Sequence, residues 1–182
     1  GSGWTVRATG GPTPTPGTGP SDDHNTSGYI YVETSPSGGV GTGVVTSLVA
    51  PKIDGSEASV LTATELSSLG TGLSGSFYYH MHGFACGELK VEVLAGSTSD
   101  SPFELTEAEL TSSAAWETVP TTYNGVLANQ LVGEQQTASS DPWRAASFDL
   151  TQWAGRKFYL RVKYTTGIVP VYGDVAIDTF RV

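Results

Sequence analysis

The amino-acid sequence predicts an all-β domain with an antiparallel sandwich or barrel of strands. Short runs rich in β-branched and aromatic residues recur along its 182 residues, separated by Gly, Pro, Ser, Thr or Asn. In the clearest runs apolar and polar side chains alternate, which is typical of a strand with one buried face. Many such strands at regular spacing indicate a sandwich or a barrel.

The strand pattern is strongest in segments of five to nine residues. In the run from Phe158 to Tyr164, Arg161 and Lys163 lie on the face opposite the apolar side chains. The strong predicted strands are 29–33, 44–49, 59–63, 76–82, 89–94, 143–150, 157–164 and 174–182. Helix signals are poor: residues 64–69 predict one turn and residues 104–110 a short surface helix.

Residues 8–28 separate a first short strand from the next one and are rich in Gly, Pro, Thr and Asp. Loops longer than about 12–15 residues are uncommon unless they bind something or are disordered. This loop is therefore a candidate functional segment.

Composition excludes several classes of protein. Lys and Arg total 9 against 18 Asp and Glu, a net charge of −9. This charge argues against a nucleic-acid partner and favours a basic or cation-bridged one. No apolar run is long enough for a membrane helix, so membrane insertion is not expected. Cys86 is the single cysteine, so no disulfide can form within the chain.

Four blocks of sequence occur together in a characteristic order. Residues 17–33 contain Gly-Pro, Asp-His and Gly-Tyr pairs before an apolar strand, and residues 77–91 an aromatic-His-Met strand and a hairpin. Residues 143–156 contain Trp-Arg and Asp-Leu pairs, and residues 166–178 end in Gly-Asp-Val-Ala-Ile-Asp. Together these blocks resemble the MAM domain. The cysteines of that family are absent.

The resemblance implies a jelly-roll β-sandwich with a non-catalytic role in adhesion or recognition outside the cell. It implies a single domain over residues 4–182, taken from a larger secreted or surface protein. Residues 1–3, Gly-Ser-Gly, are expected to derive from expression. The implied partner is a protein or a glycan at a cell surface, and association between copies of the chain is a further possibility.

Four aspartates form the candidate metal site. Asp22 and Asp23 lie in the long loop, while Asp174 and Asp178 share one face of the last predicted strand. Carboxylates together with loop carbonyl oxygens can supply the oxygen ligands of a structural Ca²⁺ ion. The alternative is that these aspartates only accept hydrogen bonds in turns and from neighbouring strands.

Aromatic residues give an alternative function, carbohydrate binding. Trp116 and Tyr172 lie near turn-rich stretches and are the candidate ligand-binding residues, whereas Trp4, Trp143 and Trp153 are expected to fill the core. No nucleophile elbow is present, so no catalytic residue is assigned. A glycoside-active enzyme domain is a third and weaker hypothesis, because 18 acids always offer pairs.

Two histidines, His80 and His82, stand two residues apart and so share a face of their strand. A zinc site would need further ligands that nothing in the sequence places nearby. Hydrogen bonding to neighbouring residues is the favoured interpretation.

Overall fold

The protein is an all-β, two-sheet antiparallel sandwich. Its structure, a computed structural model, describes residues 3–25, 28–34, 39–55, 72–96, 104, 106, 108–109, 112, 115–169 and 172–182. The β-sandwich prediction is confirmed, while the jelly-roll connectivity stays a prediction.

The larger sheet contains seven of the described strands. They are β1 (Trp4–Arg7), β2 (Tyr29–Val32), β5 (Ser74–His82), β8 (Thr121–Tyr123), β9 (Val126–Ala128), β11 (Arg144–Asp149) and β13 (Asp174–Arg181). Their order across the sheet is β1-β2-β13-β5-β11-β8-β9. The last strand, β13, lies between β2 and β5, so the acidic residues of β13 sit near the middle of the sheet.

The smaller sheet has the order β10-β6-β12-β3, with β4 beside β12 and β7 beside β6. Its strands are β3 (Val45–Val49), β4 (Ile53–Asp54), β6 (Glu88–Ala95), β7 (Glu117–Val119), β10 (Leu131–Val132) and β12 (Lys157–Thr165). A 3-10 helix, Thr151–Trp153, follows β11.

The main core lies between the two sheets, where the alternating side chains of their inner faces meet. Phe158, Leu160, Val162 and Tyr164 of β12 are almost completely buried there, as the alternation predicts. Trp153 belongs to this core and Trp4 packs against it. Burial of these large side chains is the main stabilising term of the fold.

A second, smaller cluster lies on the outer face of the larger sheet. It consists of Tyr29, Tyr31 and Ala176, with Trp143 packed against them. Trp143 is therefore partly buried against an outer sheet face and, contrary to the expectation from the sequence, does not fill the core between the sheets. The outer face of an exposed sheet is usually polar. This part of the face is apolar because another segment of the chain covers it.

The strong predicted strands that the structure describes are confirmed within two residues at their ends. The predicted strand 59–63 and helical turn 64–69 lie outside the described residues. In the predicted 104–110 helix, Ala108 and Glu109 are helical, and the Thr106 hydroxyl accepts the Glu109 N–H. No helix in the described part of the chain is long and apolar enough to cross a membrane.

Candidate functional site

The long loop is an ordered cover on the larger sheet. Residues 8–25, here called the covering loop, lie over the outer faces of β2, β5 and β13. The Trp143 indole N–H donates to the carbonyl of Asp22, and the Gly19 N–H donates to the carbonyl of His82. The His24 ring stacks on Tyr78 with 3.6 Å between ring centroids. The loop is thus fixed at several points along the sheet.

Asp174 holds the covering loop to the start of β13. Its carboxylate accepts a hydrogen bond from the Thr18 hydroxyl at 2.8 Å and another from the Thr34 N–H at 3.1 Å. The side chain is completely buried, so these donors replace the water that a buried carboxylate loses. The Cys86 thiol donates to the Asp174 carbonyl, which adds the β5–β6 turn to the same junction.

The other three predicted metal ligands also accept hydrogen bonds. The His24 N–H donates to Asp178, the Gly11 N–H donates to Asp22, and the Gly28 N–H donates to Asp23. Asp174 and Asp178 share a face, as predicted, but they stand four positions apart along the strand, which is a distance of about 13 Å. The four aspartates therefore serve several distinct loop contacts, which matches the hydrogen-bonding alternative.

Glu33 is an acidic neighbour of Asp174 that sequence reasoning missed. Burial raises the pKa of the Asp174 carboxyl, and the negative charge of Glu33 raises it further. Carboxylates and threonine hydroxyls around this point supply oxygen donors only, which suits the chemistry of Ca²⁺. Among the described residues, no three Asp, Glu, His or Cys side chains converge as a metal-binding group.

Two exposed, stacked aromatic rings lie beside the Asp174 junction, and this pair is here called the aromatic tip. The rings belong to Phe84 of the β5–β6 turn and Tyr172 of the β12–β13 loop. Their ring centroids are 5.2 Å apart and the ring planes meet at 24°. Phe84 is 67% exposed and Tyr172 is 49% exposed, and Ile168 in the same loop is 93% exposed. A group of large apolar side chains in water is typical of an interaction surface.

The base of the aromatic tip is tightly packed backbone. The Ala85 N–H donates to the Tyr172 carbonyl, and the Gly83 N–H donates to Glu134. A Cβ at Gly173 would lie 2.3 Å from the carbonyl carbon of Ala85, so no larger residue fits there. Tyr172 itself has a φ of 97°, a conformation that a bulky residue adopts only under strain. The backbone that carries the two rings is therefore tightly packed.

The two predicted ligand-binding aromatics lie in different places. Tyr172 is exposed, as expected, but Trp116 is only 8% exposed. The Arg161 guanidinium lies 4.1 Å from the centre of the Trp116 ring on the outer face of the smaller sheet. The Trp116 indole N–H donates to the Glu109 carbonyl. Trp116 thus covers a buried arginine and is not a ligand-binding residue. The exposed aromatic residue beside Tyr172 is Phe84.

His80 and His82 differ in environment although they share a face. His82 approaches Glu134 at 3.0 Å. His80 is completely buried beneath Trp143, and the backbone of Asp141 is a hydrogen-bonding neighbour of its ring. Burial lowers the pKa of His80 to about 4, and His82 beside it contributes to this shift.

We expect His80 to make the protein less stable in acid. Between pH 6.5, the ordinary pKa of histidine, and pH 4, the unfolded chain binds a proton that the folded chain does not. Unfolding is therefore favoured as the pH falls through this window, by about 3 kcal/mol in total. Urea unfolding of the wild type and of His80→Leu across this range measures the effect. In His80→Leu the loss of stability between pH 6.5 and pH 4 should be smaller by about 3 kcal/mol. His24→Gln is the control: His24 is exposed, and this variant should lose as much stability as the wild type. Equal losses in the wild type and His80→Leu would contradict the assignment.

Comparison with known proteins adds no identification: no protein-family model and no curated protein matches the chain.

Proposed function

We propose that this chain is a non-catalytic, extracellular, MAM-like recognition module whose contact surface is the aromatic tip. The exposed and preorganised Phe84–Tyr172 pair is the observation that supports the proposal. Preorganised aromatic side chains lose little conformational entropy on binding, and aromatic residues are frequent among the energetically dominant residues of interfaces.

The composition of the tip favours a protein partner. Residues 83–87, 166–169 and 172–173 include no charged side chain and no amide side chain. A sugar presents many hydroxyl groups, which need polar partners beside the ring on which the sugar stacks. An apolar surface of another protein needs none. Carbohydrate binding through the same exposed rings is the second candidate, because two stacked rings are also a platform for a sugar ring.

The proposal is tested by removing the rings without disturbing the fold. Two variants do this: Phe84→Ser, and Tyr172→Gly, which also relieves the positive φ. Leu127→Ser is the control, because Leu127 is equally exposed at 68% but lies on the β8–β9 hairpin. A random-peptide display library and a glycan array are probed with the wild type, and every ligand found is measured against all three variants.

We expect peptide ligands whose affinity falls by roughly thirtyfold or more in each tip variant and is unchanged in Leu127→Ser. The tip variants should unfold within about 0.5 kcal/mol of the wild type, since both side chains are exposed. Ligands found only on the glycan array and lost in the tip variants would favour carbohydrate binding. Ligands that bind the tip variants as well as the wild type would overturn the assignment of the tip.

A structural Ca²⁺ ion remains part of the proposal. It is supported by the two neighbouring acids Glu33 and Asp174, whose mutual repulsion a cation would relieve. An ion bound only by the folded chain raises the melting temperature by mass action. We expect a higher melting temperature in excess Ca²⁺ than in EDTA, and no such difference in Asp174→Asn. An unchanged melting temperature in the wild type would leave the aspartates as hydrogen-bond acceptors only.

A further inference from the structure

The larger sheet ends at β9, an exposed strand with an apolar surface. Among the described strands β9 pairs only with β8, so its other edge is open. Val126 and Leu127 are each 68% exposed. No residue from 118 to 133 is charged, although the chain carries a net charge of −9. Two consecutive large apolar side chains on an open, uncharged edge are typical of a surface that pairs with another strand.

The edge of β9 is not protected against pairing. Natural sheets protect their open edges with charged residues, proline or a β-bulge. At the other end of this sheet, β1 ends in the charged residue Arg7. The sequence of β9 is Val-Leu-Ala, and its register with β8 is regular, so β9 has none of these three features. Its edge is therefore available to another strand.

The turn of the β8–β9 hairpin determines which backbone groups face this edge. Asn124 and Gly125 form the turn, and both have a positive φ, 47° and 85°, as a type I′ turn requires. Such a two-residue turn closes on a hydrogen-bonded pair, here Tyr123 with Val126. Hydrogen-bonded and non-hydrogen-bonded pairs alternate along an antiparallel ladder. The N–H and carbonyl of Leu127, the next residue, therefore point away from β8 and toward the open edge.

The outward groups of this edge are self-complementary. When two copies of β9 lie antiparallel with Leu127 at the two-fold axis, each Leu127 N–H donates to the carbonyl of Leu127 of the partner subunit. Beside the axis Val126 faces Ala128 of the partner subunit, so a large side chain meets a small one. Val126, Ala128 and Leu131 line a cavity of about 240 Å³ that opens at this edge. The added strand would cover this apolar opening and remove it from water.

We propose that this chain forms a weak two-fold dimer through the edges of β9, which joins the larger sheets of two copies into one antiparallel sheet. A second copy fits because it presents the same uncharged segment and brings no charge to be buried. The edge is short, so the contact is smaller than a standard interface of about 1,600 Å², and we expect a dissociation constant on the order of 100 µM. The aromatic tip takes no part in this contact, so failure of the dimer would leave the function proposed for the tip untouched.

Sedimentation equilibrium of the whole chain, from about 10 µM to about 1 mM, measures the association. We expect the average mass to rise toward that of a dimer. Association should strengthen in high salt, which screens the repulsion between two chains of net charge −9. Leu127→Lys would place two like charges opposite each other and should weaken the dimer by roughly tenfold or more. Val6→Lys is the matched control, because Val6 is 71% exposed on β1, and it should associate as the wild type does.

The register is tested by intermolecular NOEs in a mixture of isotope-labelled and unlabelled chains. We expect contacts between the Hα of Val126 and the Hα of Ala128 of the partner subunit, because the neighbours of a hydrogen-bonded pair approach each other most closely. The Leu127 amide should also exchange with solvent more slowly as the concentration rises, whereas exchange of the Val126 amide should not change.

Three results would overturn the proposal. The first is a wild-type chain that stays monomeric at the highest concentration, which would leave the edge to a strand of another protein. The second is association that weakens in high salt. The third is a Val6→Lys variant that loses as much association as Leu127→Lys. Melting temperatures of the two lysine variants at low concentration should equal that of the wild type, since both side chains are exposed.

Discussion

Replacing Gly87 with Ala is expected to destabilise the protein by about 3 kcal/mol and to separate the two loops of the aromatic tip. A Cβ at Gly87 would lie 1.8 Å from the carbonyl oxygen of Thr165 and 2.7 Å from the amide nitrogen of Gly167. Both obstacles are backbone atoms, so no side-chain rotation relieves the clash. The φ of Gly87 is not in the positive region, so the effect is steric and not conformational.

Gly41→Ala is the matched control for this substitution. The nearest atom to its added Cβ would be a Val44 methyl carbon at 3.8 Å, which is ordinary contact. Its free energy of unfolding should therefore stay within about 0.5 kcal/mol of the wild-type value. Urea unfolding of the three proteins measures the difference. Similar stabilities for Gly87→Ala and Gly41→Ala would show that the loops are not packed as described.

Breaking the buried ion pair of the smaller sheet is expected to have an equal or larger effect. Arg161 and Glu92 are 2% and 4% exposed, and two guanidinium nitrogens of Arg161 lie 2.6 Å from one Glu92 oxygen. Removing one partner of a buried pair leaves an uncompensated charge and costs about 3–5 kcal/mol. Lys90 and Lys163 also approach Glu92, at 3.1 and 3.9 Å. We therefore expect Glu92→Leu to lose more stability than Arg161→Met.

The double variant is the control for this prediction. Arg161→Met with Glu92→Leu removes both buried charges, so it should recover a large part of the loss found in either single variant. Denaturant unfolding of the four proteins gives the coupling energy. Additive losses in the double variant would contradict a direct interaction between the two side chains.

Alternation in the sequence was sufficient to predict two of the long strands, β6 and β12, in which apolar and charged side chains alternate. Strands β5 and β13 contain runs of consecutive buried residues, and their β-branched and aromatic content predicted them. The short strands within 117–132 were missed, because two or three residues cannot show a period. Their strand character comes from pairing with neighbours: β7 and β10 pair with the distant strand β6, and β8 and β9 pair with each other as a hairpin.

The site was only partly predictable for a similar reason. Tyr172 was expected to be exposed because it stands in a turn-rich stretch, and it is. Trp116 stands in a comparable stretch but is covered by its contact with Arg161, 45 residues away along the chain, which local composition cannot reveal. Phe84 could have been found, since an aromatic residue directly after Gly83 at the tip of a predicted hairpin is seldom buried. Its contact with Tyr172 depends on the packing of two distant loops.

The central claim is that partners bind at the aromatic tip, and mapping the bound surface tests it most directly. The measurement is amide NMR cross-saturation of the isotope-labelled chain in complex with the ligand that it binds most tightly in the display and array experiments. We predict that saturation is strongest at the amides of residues 83–87, 166–169 and 172–173. Saturation centred on any other surface, such as the outer face of the smaller sheet, with the tip unaffected, would contradict the claim.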